Sequence, residues 1–125
     1  MNRRPKVLLL EDDPFLTKII VYRFEKAGID VTALQDGNDA LQELDQDDYN
    51  ALITDIMLDS MSGLEFVDEL RKSGKNLPVL VISDYSSKKI IDQAMKLGAN
   101  AFMTKPFIPD ELVNQVQKLL QLDAA

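Results

Sequence analysis

Three acids, Glu11, Asp12 and Asp13, follow one short apolar run; Asp55 ends a second, Ser83 and Asp84 end a third, and Lys105 with Pro106 follows a fourth. If these runs are parallel strands joined by right-handed crossovers, their C-terminal ends share the edge where open α/β sheets bind ligands. A carboxylate cluster, a hydroxyl and an ammonium group then meet in one crevice. Crowded carboxylates repel one another unless a cation lies between them, and an all-oxygen donor set without His or Cys suits Mg²⁺. Mg²⁺ takes few carboxylates and keeps positions for a phosphoryl oxygen, so the pattern selects a phosphate-bearing substrate. A carboxylate can attack phosphorus to give an aspartyl phosphate when metal, Lys and hydroxyl neutralise the charge growing on the phosphoryl oxygens.

Composition narrows the chemistry further. The chain has no Cys, which excludes disulfides, thiolate nucleophiles and Cys-based metal sites, and no His, which excludes the Ser-His-Asp and Cys-His machineries. A formal net charge of −7 repels a phosphate backbone, so direct nucleic acid binding is not expected. Met1 to Pro5 lead into only a short apolar run, and no stretch is long enough to span a bilayer; neither secretion nor membrane insertion is expected. The 125 residues suit one globular domain, 1–125, with its core over about 5–122.

The elements that must position these side chains recur as five βα units. Strands are expected at Val7 to Leu10, Asp30 to Leu34, Ala51 to Thr54, Val79 to Ile82 and Ala101 to Met103. The first, third and fourth are continuously apolar, as central parallel strands covered on both faces are. Asp13 as N-cap and Pro14 at N1 open a first helix that turns Leu16, Ile19, Ile20 and Phe24 inward and ends at Gly28. A second helix around Ala40, Leu41 and Leu44 is weakly marked. Ser62-Gly63-Leu64-Glu65 reads as a capping box opening a third, which buries Leu64, Phe66, Val67 and Leu70 and stops near Gly74. Ile90, Ile91, Ala94 and Leu97 form a fourth stripe closed by Gly98. Pro109 opens a fifth, carrying Leu112, Val113, Val116, Leu119 and Leu120. The fold class is a doubly wound α/β sheet with helices on both faces.

In this order and spacing, Leu8 to Pro14, Leu52 to Leu58, Met61 to Glu65, Val79 to Ser83 and Gly98 to Phe107 carry a resemblance, over nearly the whole chain, to the receiver domain of bacterial two-component response regulators. The resemblance implies a flavodoxin-like (βα)5 fold with strand order 2-1-3-4-5. It implies that Asp55 is the phosphoacceptor, Asp12 a direct Mg²⁺ ligand, Glu11 an acid acting through metal-bound water, and the Met57 backbone carbonyl a further ligand. Ser83 would hydrogen-bond a phosphoryl oxygen, and Lys105 would pair with Asp55 or its phosphate. A cis peptide would precede Pro106. Phe102 would turn inward as Ser83 moves toward the phosphate, coupling the site to the surface of the fourth helix, fifth strand and fifth helix.

The function so implied is a cytoplasmic phosphorelay switch and not a turnover enzyme. It would be phosphorylated by a histidine kinase or histidine phosphotransfer protein, and would act on an effector protein or output domain as a monomer or a phosphorylation-dependent homodimer. With only Gln121 to Ala125 after the fifth helix, no output domain is expected within this chain. Two positions depart from the family pattern: Asp84 stands where a small residue is usual, and Asp59 where Pro is common. Asp84 brings negative charge beside an incoming phosphoryl group and is expected to modulate the reaction, as are Met57 and Tyr85 next to the site. Asp59 reads as a loop residue. A haloacid-dehalogenase-type enzyme would need a second Asp at position 57, which is Met57. A flavin-binding domain would need a Ser/Thr/Gly-rich phosphate loop where Glu11 to Asp13 stand. A pseudo-receiver interaction module that is never phosphorylated is the remaining alternative.

Overall fold

A computed structural model of the chain describes residues 4–124, with side chains described through Gln121; Met1 to Arg3 and Ala125 lie outside the described residues. Five strands, β1 (Lys6–Leu10), β2 (Asp30–Leu34), β3 (Ala51–Asp55), β4 (Val79–Ser83) and β5 (Ala101–Thr104), alternate with five helices. These are α1 (Pro14–Lys26), α2 (Gly37–Gln46), α3 (Gly63–Lys72), α4 (Lys88–Leu97) and α5 (Pro109–Ala124). All strand pairings are parallel, in the order β2-β1-β3-β4-β5. β3, β4 and β5 each run one residue beyond the expected end, so Asp55 and Ser83 are the last residues of their strands.

Alternation along the central strands divides the core in two, because successive side chains leave opposite faces of a sheet. Leu8, Leu10, Leu52, Val79 and Val81 pack on one side with Ala40 and Leu44 of α2, Phe66, Val67 and Leu70 of α3, and Ala94 of α4. Val7, Leu9, Ala51, Ile53, Leu80 and Ile82 pack on the other with Ile20 and Phe24 of α1 and Leu112, Val113, Val116 and Leu119 of α5. The weakly marked α2 is capped by Asp36, whose carboxylate accepts from the Asn38 amide.

One expectation is corrected. Ile19 does not face the core but is exposed, together with Phe15 (74%) and Tyr22 (58%). Leu16, Ile20 and Phe24 recur every fourth residue and follow the sheet, while Phe15, Ile19 and Tyr22 form a second apolar stripe rotated away from it.

α4 is held mostly from one end. Only Ala94 is fully buried along it, and Ile90, Ile91 and Leu97 are partly covered. Arg71, in the last turn of α3, donates from Nε and Nη2 to the Gly98 carbonyl (3.1 and 2.8 Å). Its Nη1 donates to the Lys75 and Leu77 carbonyls (3.0 and 2.8 Å), and Nη2 also reaches Asn100 Oδ1 (3.1 Å). One guanidinium thus ties α3, the α3–β4 loop and the α4–β5 turn together. Arg71→Met keeps the apolar stem but strands these acceptors, and is expected to cost about 2 kcal/mol. Urea unfolding should show the loss as a lower midpoint at unchanged slope, and a change below about 0.5 kcal/mol would contradict it.

Candidate functional site

The strand order reverses direction beside β1, with β2 on one side and β3 on the other, and the crevice opens at the C-terminal ends of β1 and β3. Glu11 and Asp12 follow β1, and the Glu11 amide still continues the ladder by donating to the Leu34 carbonyl (3.1 Å). Asp55 closes β3. One carboxylate oxygen from each of Glu11, Asp12 and Asp55 lies within 4.8 Å of the others. Glu11 and Asp55 are buried and Asp12 half-buried, all three at the C-terminal ends of β1 and β3, in a chain that has neither Cys nor His.

Lys105 crosses the crevice from the other side. Its Nζ lies 2.6 Å from Asp55 Oδ2 and 3.2 Å from Glu11 Oε2. Its own amide donates to the Ser83 carbonyl (2.7 Å), so the Lys105 backbone is fixed to the end of β4. The second oxygen of Asp55, Oδ1, accepts from the Met57 amide (3.1 Å). Glu11 Oε1 accepts from the Asp13 amide (3.2 Å). Asp13 itself caps α1, accepting from the Phe15 and Leu16 amides, as a helix N-cap before Pro14 should. The Lys105–Pro106 peptide is cis.

Ser83 is fully buried, and its Oγ accepts from the Tyr85 amide (2.9 Å), which leaves the hydroxyl proton to donate elsewhere. Phe102 is half-buried against the core on the α3 and α4 side, opposite Val81 in the β4–β5 ladder. Met57, Asp59, Asp84 and Tyr85 are exposed around the rim. Glu11, Asp12, Asp55 and Lys105 are thus drawn together, with Ser83 joined to them through the Lys105 backbone.

Three carboxylates against one ammonium leave the crevice short of positive charge. Burial, and then the Asp55 charge, push the Glu11 carboxyl up to about 7, against the opposing pull of the Asp13 amide and Lys105. Burial works to lower the Lys105 ammonium, but the hydrogen bond and charge of Asp55, with the charge of Glu11, outweigh it and hold it above its ordinary value. An oxygen-only donor set with a charge deficit fits a hard divalent cation such as Mg²⁺, held by Glu11, Asp12 and Asp55.

The raised Glu11 value has a consequence for stability. The folded chain holds this proton more tightly than the unfolded chain, where the ordinary value is 4.5. Its stabilising contribution is therefore complete below about 4.5 and is lost as the pH rises through about 7. Metal-free protein is expected to lose on the order of 2 kcal/mol relative to Glu11→Gln over that window. Urea unfolding at a series of pH values in chelator tests this; parallel curves for the two proteins would refute it.

Gly63 shapes the site although its sequence context marks it only as part of a helix cap. It stands at the first position of α3, its amide donates to the Ile56 carbonyl (2.7 Å), and a Cβ there would meet the Asp55 carbonyl oxygen at 2.0 Å. The dihedral φ of Gly63 is not in the left-handed region, so no local signal singles it out.

A model of the response regulator receiver domain family matches residues 7–117. The alkaline phosphatase synthesis transcriptional regulatory protein PhoP of Bacillus subtilis is 30% identical over 123 residues, which make up 97% of this chain and 50% of that protein. The transcriptional regulatory protein TrcR of Mycobacterium tuberculosis is 35% identical over 118 residues, 93% of this chain and 45% of that protein. The chain thus spans about half the length of the curated relatives it matches. Among solved structures, the receiver domain of the Francisella response regulator 1452 superposes with a TM-score of 0.90 at 34% identity, covering 94% of this chain and 97% of that one.

Proposed function

Because this chain belongs to the response regulator receiver domain family, we propose that it is a signalling switch in which Asp55 accepts a phosphoryl group from a phosphohistidine on a partner protein. The observation that carries this reading is the Lys105 bridge: one ammonium group holds the Asp55 and Glu11 carboxylates at the strand-order reversal, beside a buried Ser83 hydroxyl. The donor imidazole lies outside these residues, which include no His, and would belong to a histidine kinase or histidine phosphotransfer protein.

Asp55 attacks phosphorus through a carboxylate oxygen; the new P–O bond forms as the donor P–N bond breaks, and the electron pair leaves with the imidazole. Glu11, Asp12 and Asp55, with the Met57 carbonyl as a further ligand, would hold Mg²⁺, which would supply positive charge to offset that of the phosphoryl group. Lys105 moves its ammonium from Asp55 Oδ2 to a phosphoryl oxygen, and Ser83 donates its hydroxyl proton to another. Because the Lys105 amide holds the Ser83 carbonyl, both groups draw on the ends of β4 and β5 together. Phe102, half-buried on β5, then turns inward and reshapes the surface of α4, β5 and α5 that meets an effector or output domain. Hydrolysis of the acyl phosphate resets the switch, so the domain takes part in its own chemistry without turning over a substrate. A phosphohistidine donor of this kind would place its work in the cytoplasm. No helix among the described residues is long and apolar enough to cross a membrane.

Incubation with acetyl phosphate and Mg²⁺ is expected to add one phosphoryl group to the intact mass, labile to alkali and abolished by chelator. No gain with acetyl phosphate, and none with a phosphorylated histidine donor, would replace this reading with the unphosphorylated interaction module.

A further inference from the structure

Next to the phosphoacceptor crevice lies a cleft of about 340 Å³ whose walls include Phe15 and Ile19 of α1, Phe107, and three charged residues, Asp13, Asp84 and Lys105. The charges are unequal in availability. Lys105 is already matched by Asp55 and Glu11. Asp13 is engaged at the N-terminus of α1, where two backbone amides donate to it. Asp84 has no such employment: among the described residues its carboxylate has no hydrogen-bond or ion-pair partner, and the cap of α4 is Ser87, not Asp84. Its backbone is held between two anchored neighbours, because the Tyr85 amide donates to Ser83 Oγ (2.9 Å). Lys88, at the start of α4, pairs with Asp92 in the next turn (2.6 Å) and makes no ion pair with Asp84. A carboxylate without an ion-pair partner among the described residues therefore lines the cleft that Lys105 also lines.

We propose that Asp84 is a specificity-determining residue for the phosphodonor, and that it selects by net charge against small anionic donors. The proposal rests on the phosphoacceptor reading of Asp55 given above. Each added negative charge on a donor entering beside Asp84 meets repulsion that water and salt screen only in part. Acetyl phosphate is a dianion near neutral pH, whereas phosphoramidate carries an ammonium group that reduces it to a net monoanion, so the two report on donor charge with the same phosphoryl group transferred.

Initial rates of phosphoryl gain by intact mass, at fixed Mg²⁺, test this in the whole chain with Asp84→Asn, Asp84→Ala and Asp84→Glu. Asp84→Asn and Asp84→Ala are expected to raise the acetyl phosphate rate about fivefold and the phosphoramidate rate about twofold. Asp84→Glu keeps the original donor ratio. Added potassium chloride should speed the parent protein with acetyl phosphate more than it speeds Asp84→Asn. Equal changes with both donors, as a steric effect would give, or no change at all, would overturn the proposal while leaving the phosphoacceptor reading intact. Absence of phosphoryl gain in every variant with both donors would overturn that reading and this proposal with it.

Discussion

Asp55→Asn is expected to abolish the phosphoryl gain entirely, under conditions where the parent protein gains one group. The amide has nearly the shape of the carboxylate but is not a nucleophile toward phosphorus, so the loss is one of chemistry and not of folding. The geometry supports that separation. An Asn side-chain oxygen can still accept from the Met57 amide, now 3.1 Å from Oδ1, and Lys105 retains Glu11 at 3.2 Å. Removing the Asp55 charge also removes one of the two causes that push the Glu11 carboxyl up, so the variant should be at least as stable as the parent in metal-free buffer at neutral pH. A folded Asp55→Asn protein that still gained a labile phosphoryl group would place the acceptor elsewhere and sink the assignment.

Of the five glycines, Gly63 should tolerate an added methyl least. The added Cβ would stand 2.0 Å from the Asp55 carbonyl oxygen, 2.9 Å from its carbonyl carbon and 3.0 Å from Ile56 Cα, all backbone atoms that no rotamer change can move. Either α3 shifts away and gives up the 2.7 Å bond from Gly63 to Ile56, or the end of β3 shifts and takes the Asp55 side chain with it. A loss of about 3 kcal/mol is expected, at the upper end for overpacking. The phosphorylation rate should fall as well, because the acceptor must sit within tenths of an ångström of its productive place. Gly28→Ala is the control. Gly28 follows α1 with φ +82°, and an added Cβ there meets nothing within 4 Å, so only backbone strain of about 1 kcal/mol is expected. Urea unfolding of the two variants side by side tests the contrast; equal losses would show that contact with Asp55 does not decide the effect.

Much of the molecule was legible in the order of residues. The continuously apolar β1, β3 and β4 are the central strands, Asp13 and Ser62 cap the helices they precede, and the acids, Ser83 and Lys105 stand at the C-terminal ends of strands. These features are local: caps act over three residues, alternation over two, and topology then carries every strand end to one edge. Other features depend on segments distant in sequence, and only packing decides them. Ile19 looks like core by type and spacing, yet the roll of α1 on the sheet turns it out beside Phe15 and Tyr22. Nothing around Arg71 announces that it gathers carbonyls from Lys75 to Gly98. The Glu11 carboxyl rises to about 7 because burial and the Asp55 charge act on it together. Lys105, 94 residues from Glu11, holds both carboxylates only once β1, β3 and β5 are aligned. Residue types and local spacing therefore determined which chemistry this chain could perform. Tertiary structure decided the distances, because electrostatic and steric terms depend on separation in space, which chain order does not specify.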